Sequence, residues 1–231
     1  MRFDIITIFP NIFKSFSNEA LIARALKKKI VKINVHNLRD WTTDNHKTVD
    51  DRPYGGGAGM VMMVEPIMKA VKDLKKKGTK VIVFSAKGKK FDQAMARRFV
   101  KLDQLILICG RYEGIDERVA EYVADEEVSI GDYVLFGGEV PAMVAMEAVT
   151  RLLPGAVGKQ ASIEDESFKH TKGIIKKQAT RFLEYPHYTR PEKIKISGKT
   201  RRVPKVLLSG NHKAIEKWRL THSTFDVFND R

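Results

Sequence analysis

Two glycine-bearing turns, close together in the chain and both carrying charged residues, are the stretch of this sequence best suited to chemistry. The first follows the apolar run Ile106-Leu107-Ile108-Cys109 and reads Gly110-Arg111-Tyr112-Glu113-Gly114. The second follows Val128-Ser129-Ile130-Gly131-Asp132-Tyr133-Val134-Leu135 and reads Phe136-Gly137-Gly138, with Pro141 just beyond. A buried strand that stops at glycine leaves backbone N–H and C=O groups free, and in α/β folds that rim is where ligands sit. Glycine also permits positive φ and lets a ligand approach the backbone closely. The same residues fit two ordinary strand-to-helix turns; their proximity and their charges favour a ligand. A third turn of the same kind, Ser85-Ala86-Lys87-Gly88, follows the short apolar run ending at Phe84.

Other candidates divide on chemical grounds. Arg39 to Met60 is a long polar loop holding Asp50-Asp51-Arg52-Pro53 and then Tyr54-Gly55-Gly56-Gly57-Ala58-Gly59. Its glycine run lacks the Lys-Ser/Thr of a P-loop, which excludes a nucleoside triphosphate site of that type. An aromatic and an arginine among glycines suit a base or a phosphate, and a linker without a partner is the other reading. Cys109 lies inside a buried run with nothing nearby to activate it, so it reads as a core thiol. With one cysteine there is no disulfide framework, which suits a reducing compartment. The six histidines show no paired ligand spacing and no CxxC exists, so no structural metal site is expected.

The elements that must hold these turns are legible in outline. Phe3–Phe9 reads as a strand ended by Pro10, residues 18–26 as a helix started by Asn18 and closed by Lys27-Lys28-Lys29, and Val31–His36 as an alternating strand. Val64–Leu74, Phe91–Val100 and Ile115–Val123 read as helices, with Lys80–Phe84 and Leu105–Cys109 as strands between them. Pro141–Leu153 is an apolar helix with Pro141 in its first turn. Repeated strand–helix units argue for an α/β domain with a mostly parallel sheet. Beyond Ala156 the pattern weakens into a polar linker, and residues 211–221 form one more helix.

Net charge is +14. Residues 161–231 hold 16 Lys and Arg against 8 Asp and Glu, so more than half of that excess sits in the last third of the chain. A polyanion is the expected partner, nucleic acid before membrane surface, with a generally lysine-rich composition as the bland alternative. Met1-Arg2-Phe3-Asp4 leads straight into a strand, so no signal peptide is expected, and no apolar run is long enough to span a membrane. A cytoplasmic protein is the expectation.

Five segments together resemble the bacterial tRNA (guanine-N1)-methyltransferases, a family of the SPOUT class. They are Asp51-Arg52-Pro53-Tyr54-Gly55-Gly56-Gly57, Cys109 to Arg118, Ser129 to Leu135, Tyr185-Pro186-His187-Tyr188-Thr189-Arg190-Pro191 and Leu207-Leu208-Ser209-Gly210-Asn211-His212, in the family's order. Phe136 departs from the usual small hydroxyl residue, and Ala58 and Ala86 from frequent prolines. The resemblance implies a SPOUT-type α/β domain with a C-terminal trefoil knot and a small helical C-terminal domain. It implies residues 1–160 as donor-binding domain, 161–185 as linker and 186–231 as a basic tRNA-binding domain. It also implies a homodimer with the active site at the subunit interface.

The activity implied is methyl transfer from S-adenosylmethionine to N1 of guanine 37 in tRNA. The donor is expected among Ser85, Ala86, Gly88, Gly110, Tyr112, Glu113, Gly114, Ser129, Ile130, Gly131, Asp132, Tyr133, Val134, Leu135, Gly137, Gly138 and Pro141. Guanine N1 carries a proton at neutral pH, so a base must take it, an effect on the order of 10²–10⁴ in rate. The family places a carboxylate, commonly Asp, just before the Pro-His-Tyr segment; here that residue is Glu184. Arg111 is the expected donor to charge growing on guanine O6. Asp51, Arg52, Tyr54, His187, Tyr188 and Arg190 are expected to contact tRNA. The family is also linked to a divalent metal, Mg2+, which these residues neither show nor exclude. The competing readings are a non-catalytic RNA-binding protein on the same fold and a SPOUT enzyme acting at another RNA site.

Overall fold

The computed structural model describes residues 1–158, Ser167 and residues 180–227. The expected linker, 161–185, falls outside the described residues apart from Ser167 and residues 180–185. The chain divides into two compact units, Met1–Gly158 and Lys159–Arg231.

Five strands of the first unit form one sheet. They are β1 (Arg2–Thr7), β2 (Lys32–Asn37), β5 (Thr79–Lys90), β6 (Gln104–Ile108) and β7 (Glu126–Ser129), in the order β2-β1-β6-β5-β7 and parallel throughout. All of β6 is buried, as a central strand covered on both faces must be. Side chains alternate between two cores. Phe3, Ile5, Ile82, Leu105 and Leu107 pack with α2 (Ala20–Lys27), α4 (Gln93–Phe99) and α6 (Glu139–Leu152). Ile6, Val81, Val83, Ile106 and Ile108 pack with α3 (Val64–Leu74) and α5 (Glu117–Tyr122) on the other face. Each such side chain contributes roughly 1.5–3 kcal/mol on burial.

Several expectations need adjusting. Asn18 does not start a helix: it ends α1 (Phe13–Asn18), and extended Glu19, followed by Ala20 at φ 50°, separates it from α2. The alternating strand β2 has no fully buried residue, because it is the sheet edge. The expected turn at 85–88 is part of β5, which runs on to Lys90 with a register shift between Phe84 and Lys89. The run Val128–Leu135 is not one strand: β7 stops at Ser129, and Val134 and Phe136 are 90% and 94% exposed. The long loop is partly built, with β3 (Asp50–Asp51) pairing antiparallel with β4 (Val61–Met62) and Val49 fully buried.

The described part of the second unit has one α-helix and two small antiparallel sheets. β8 (Thr180–Leu183) pairs with β11 (Thr224–Val227), and β9 (Lys193–Ile196) with β10 (Lys199–Arg202). The β9–β10 turn is Ser197-Gly198, both at positive φ, as a two-residue hairpin loop requires. Helix α7 (His212–His222) starts where the Asn211 side chain accepts from the Ala214 N–H at 3.1 Å. Among the described residues no helix is long and apolar enough to cross a membrane.

Candidate active site

The middle of β5 and the carboxyl ends of β6 and β7 open onto one cavity of about 520 Å3. That is the rim where open parallel sheets bind ligands, and the size of a small-molecule site. Ser85 and Ala86 line it from β5, and Gly110, Arg111, Tyr112, Glu113 and Gly114 from the loop after β6. Ser129, Ile130, Gly131, Tyr133, Val134, Leu135, Gly137, Gly138 and Pro141 line it from the segment after β7 and the first turn of α6. Two expected residues do not. Gly88 lies against β7, where an added Cβ would stand 2.5 Å from the Val128 backbone nitrogen. Asp132 pairs outward with Lys90 Nζ at 2.8 Å. Lys87, Ile115, Glu117 and Phe136 line the cavity as well; only their place beside the glycines could have signalled this.

The two glycine turns are clamped together. Gly138 N–H donates to Gly110 O at 2.9 Å, and a Cβ on Gly138 would stand 2.7 Å from Cys109 Cα. Glu139, 1% exposed, ties this crossing to β1: it accepts from Thr7 Oγ1 at 2.7 Å and from Arg111 Nε at 2.8 Å. The Arg111 guanidinium also lies 4.9 Å over the Phe9 ring. Arg111 is therefore held by its Nε. Its Nη1 reaches Phe136 O at 3.5 Å, and Nη2 has no partner among the described residues. Burial pushes the Cys109 thiol well up, with the Glu139 charge adding to it, so it is an inert core group.

The loop after β6 is in turn fixed by the β3–β4 ribbon. Glu113 N–H donates to Met60 O at 3.0 Å, Met62 N–H to Gly114 O at 2.9 Å and Asp116 N–H to Met62 O at 3.0 Å. Gly59 sits against the Glu113 side chain with no room for a Cβ. Tyr112 has φ 60° and lines the cavity; burial first, then the Asp50 carboxylate, push its phenol up and keep it a hydrogen-bond donor. The ribbon thus carries Asp50 toward the cavity and presents Asp51, Arg52 and Tyr54 exposed at its tip, Tyr54 completely so.

The remaining candidates belong to the second unit. Glu184 is exposed, with Oε2 3.2 Å from His187 Nε2 and its backbone N–H on the Ser167 hydroxyl at 3.2 Å. His187 and Tyr188 join an aromatic cluster with Tyr185, Trp218 and His222: Tyr185–His187 centroids are 4.9 Å apart, Tyr188–Trp218 6.2 Å and Trp218–His222 4.1 Å. Arg219 lies 4.9 Å over the Tyr185 ring. Trp218 is not among the candidates the sequence offers, because only folding brings its ring beside Tyr185 and Tyr188. Arg190 is exposed. Among the described residues no group of three or more His, Cys, Asp or Glu could hold a metal ion.

A parallel sheet with a glycine-lined cavity of small-molecule size at its carboxyl rim defines an α/β protein of the kind that binds small ligands there. A family model described as tRNA (Guanine-1)-methyltransferase TrmD matches residues 1–231. A tRNA (guanine-N(1)-)-methyltransferase of Carboxydothermus hydrogenoformans is 49% identical over 227 residues, covering 98% of this chain and 84% of the relative. The protein of that name from Dictyoglomus turgidum is 51% identical over 219 residues, covering 95% and 83%. One from Clostridioides difficile is 44% identical over 227 residues, covering 96% and 92%. The chain belongs to the tRNA (guanine-1)-methyltransferase family.

Proposed function

We propose that this protein transfers the methyl group of S-adenosylmethionine to N1 of guanine 37 in tRNA. The observation that carries this reading is the glycine-clamped cavity at the carboxyl rim, in a chain that matches the methyltransferase family along its whole length. The cavity residues fit the donor: backbone groups of the 85–86, 110–114 and 129–138 segments line it and would hold the adenine edge, and Gly114 faces open space. When bound, the donor supplies an electrophilic methyl on a sulfonium.

The chain's own groups then do three things. Ser85, the 110–114 loop and the 129–138 segment orient the donor, and holding two reactants in line is the largest single advantage available. Glu113 offers its carboxylate to the donor's positive charge. Glu184 takes the N1 proton, with His187 beside it to fix the carboxylate, while Arg111, held by Glu139, meets charge on guanine O6. Arg52, Tyr54, Asp51, Tyr188, His187 and Arg190 contact the tRNA by ion pairing and stacking.

Residues 1–160 serve as the donor domain, 161–185 as linker and 186–231 as the tRNA module, in a cytoplasmic enzyme. The tight crossing of Gly137 and Gly138 over Cys109–Arg111 supports a trefoil knot. The exposed Val134, Phe136, Val140 and Val144 beside the cavity support a homodimer with the site at its interface. No step is assigned to Mg2+.

The test is methylation of a tRNA transcript with labelled donor, followed by digestion to nucleosides. Label in N1-methylguanine is the expected result; label in any other nucleoside would overturn the reading.

A further inference from the structure

The opposite rim of the sheet has a pattern of its own. Register pairs Arg2 with Lys32 and with Gln104, and Gln104 with Thr79, so four strand starts lie in one row. In a parallel α/β layout the preceding helices end on that same row. Helix α2 ends into Lys27-Lys28-Lys29 ahead of β2, α3 into Lys75-Lys76-Lys77 ahead of β5, and α4 into Lys101 ahead of β6. All seven lysines are exposed. Lys28 donates to Gly155 O at 3.1 Å and Lys75 lies 3.4 Å from Asp125. Lys27, Lys29, Lys76, Lys77 and Lys101 have no ion-pair partner among the described residues.

Three inter-strand spacings of about 4.8 Å make this row roughly 14 Å wide. The acidic groups nearby do not cancel it. Asp125 is taken by Lys75 and by the Val81 N–H at 2.7 Å, and Asp73, held by the Trp41 indole at 3.1 Å, and Asp103 keep their charge, fewer than the lysines of the row. One lysine at a helix carboxyl end complements the dipole. Triplets at the two ends of this row and a further lysine between them exceed that need.

We propose that this lysine rim is a second RNA-contact surface, which takes the phosphate backbone of the substrate tRNA outside its anticodon arm. The proposal rests on the tRNA reading above. A strand of five or six residues spans about 17–20 Å, so the rim lies far from the donor cavity. An RNA engaged at the cavity reaches it only with a part distant from the target base. Phosphate contacts of this kind position the RNA and carry no sequence information.

The experiment compares the wild-type chain with the quadruple variant K29Q/K76Q/K77Q/K101Q, which leaves the cavity and the second unit untouched. Equilibrium binding is measured for a full-length tRNA transcript and for its isolated anticodon stem-loop, over a salt series. The expected result is about tenfold weaker binding of full-length tRNA near 0.1 M salt. Its log affinity against log salt should be shallower by about 3, at 0.7–0.9 per lost contact. Stem-loop binding, donor affinity and thermal midpoint should stay at wild-type values. Unchanged affinity and slope for full-length tRNA would overturn the proposal, as would equal losses on both RNAs, which report a diffuse charge effect. Because binding is read without turnover, failure of methyl transfer in the wild-type protein would count against the enzymatic reading and leave this comparison standing.

Discussion

The backbone N–H of Arg111 donates to the thioether of Met62 at 3.2 Å, so a residue 1% exposed in the β3–β4 ribbon holds the loop that lines the cavity. Met62 also makes two backbone bonds to the same loop. Met62→Leu keeps the volume and removes the sulfur acceptor. A swap of this kind costs less than about 1.5 kcal/mol of stability. Donor affinity should fall several-fold, read by titration calorimetry, with tRNA affinity unchanged. Wild-type donor affinity would show that the ribbon does not set the loop.

Glu139 is the buried carboxylate that anchors Arg111 and Thr7. Glu139→Ala leaves the Arg111 guanidinium without its buried partner and should cost about 3 kcal/mol in denaturant unfolding. Glu139→Gln keeps the Thr7 bond and should recover roughly half of that. Equal losses in the two variants would mean that charge, not hydrogen bonding, sets the anchor.

Gly138→Ala tests the crossing. Its φ is ordinary, at −83°, so only space is at issue, and the new Cβ would meet Cys109 Cα at 2.7 Å. Backbone must move, and donor binding should drop at least tenfold, on the order of 1.4 kcal/mol. The control is Gly158→Ala, where nothing lies within 4 Å of the new Cβ and no effect is expected.

Asp4 gives a pH signature. Burial opposes its charge, but hydrogen bonds from His36, Arg2, Gln104 and Asn34 prevail and hold its carboxyl well below the ordinary 3.8. Lowered in the fold, it stabilises fully above that ordinary value, and the contribution is lost as pH falls below it toward the folded-state value. Asp4→Asn should therefore lower the unfolding free energy read from denaturant titration at pH 7 by roughly 1–3 kcal/mol. The gap to wild type should narrow between pH 4 and pH 2. A gap that does not change with pH would rule out the charge as its source.

What could be seen in the sequence follows from the range of each interaction. The parallel sheet and its helices were legible because their hydrophobic periods are local, as in β6 and α3. The lining role of Gly110–Gly114 and Gly137–Gly138 was equally open, since a glycine at the end of an apolar run is a local signal. The extension of β5 through Ser85–Lys90 was hidden: polar residues at 85–90 resemble a turn, and only pairing with β7 keeps them extended. Met62 and Glu139 were invisible for the same reason. Glu139 meets Thr7 across 132 residues of sequence, and no local pattern announces such a contact.

Glu184→Gln addresses the chemical step alone. Binding of donor and tRNA should stay near wild type while single-turnover transfer falls on the order of 10²–10⁴-fold. Near-normal turnover would remove Glu184 from the role of base.

The most direct measurement is transfer of labelled methyl from S-adenosylmethionine to two tRNA transcripts that differ only at position 37, guanine against adenine. Methylation of the guanine form alone, recovered as N1-methylguanine, is the expected result. Transfer to both transcripts, or tight RNA binding by folded protein with transfer to neither, would contradict it.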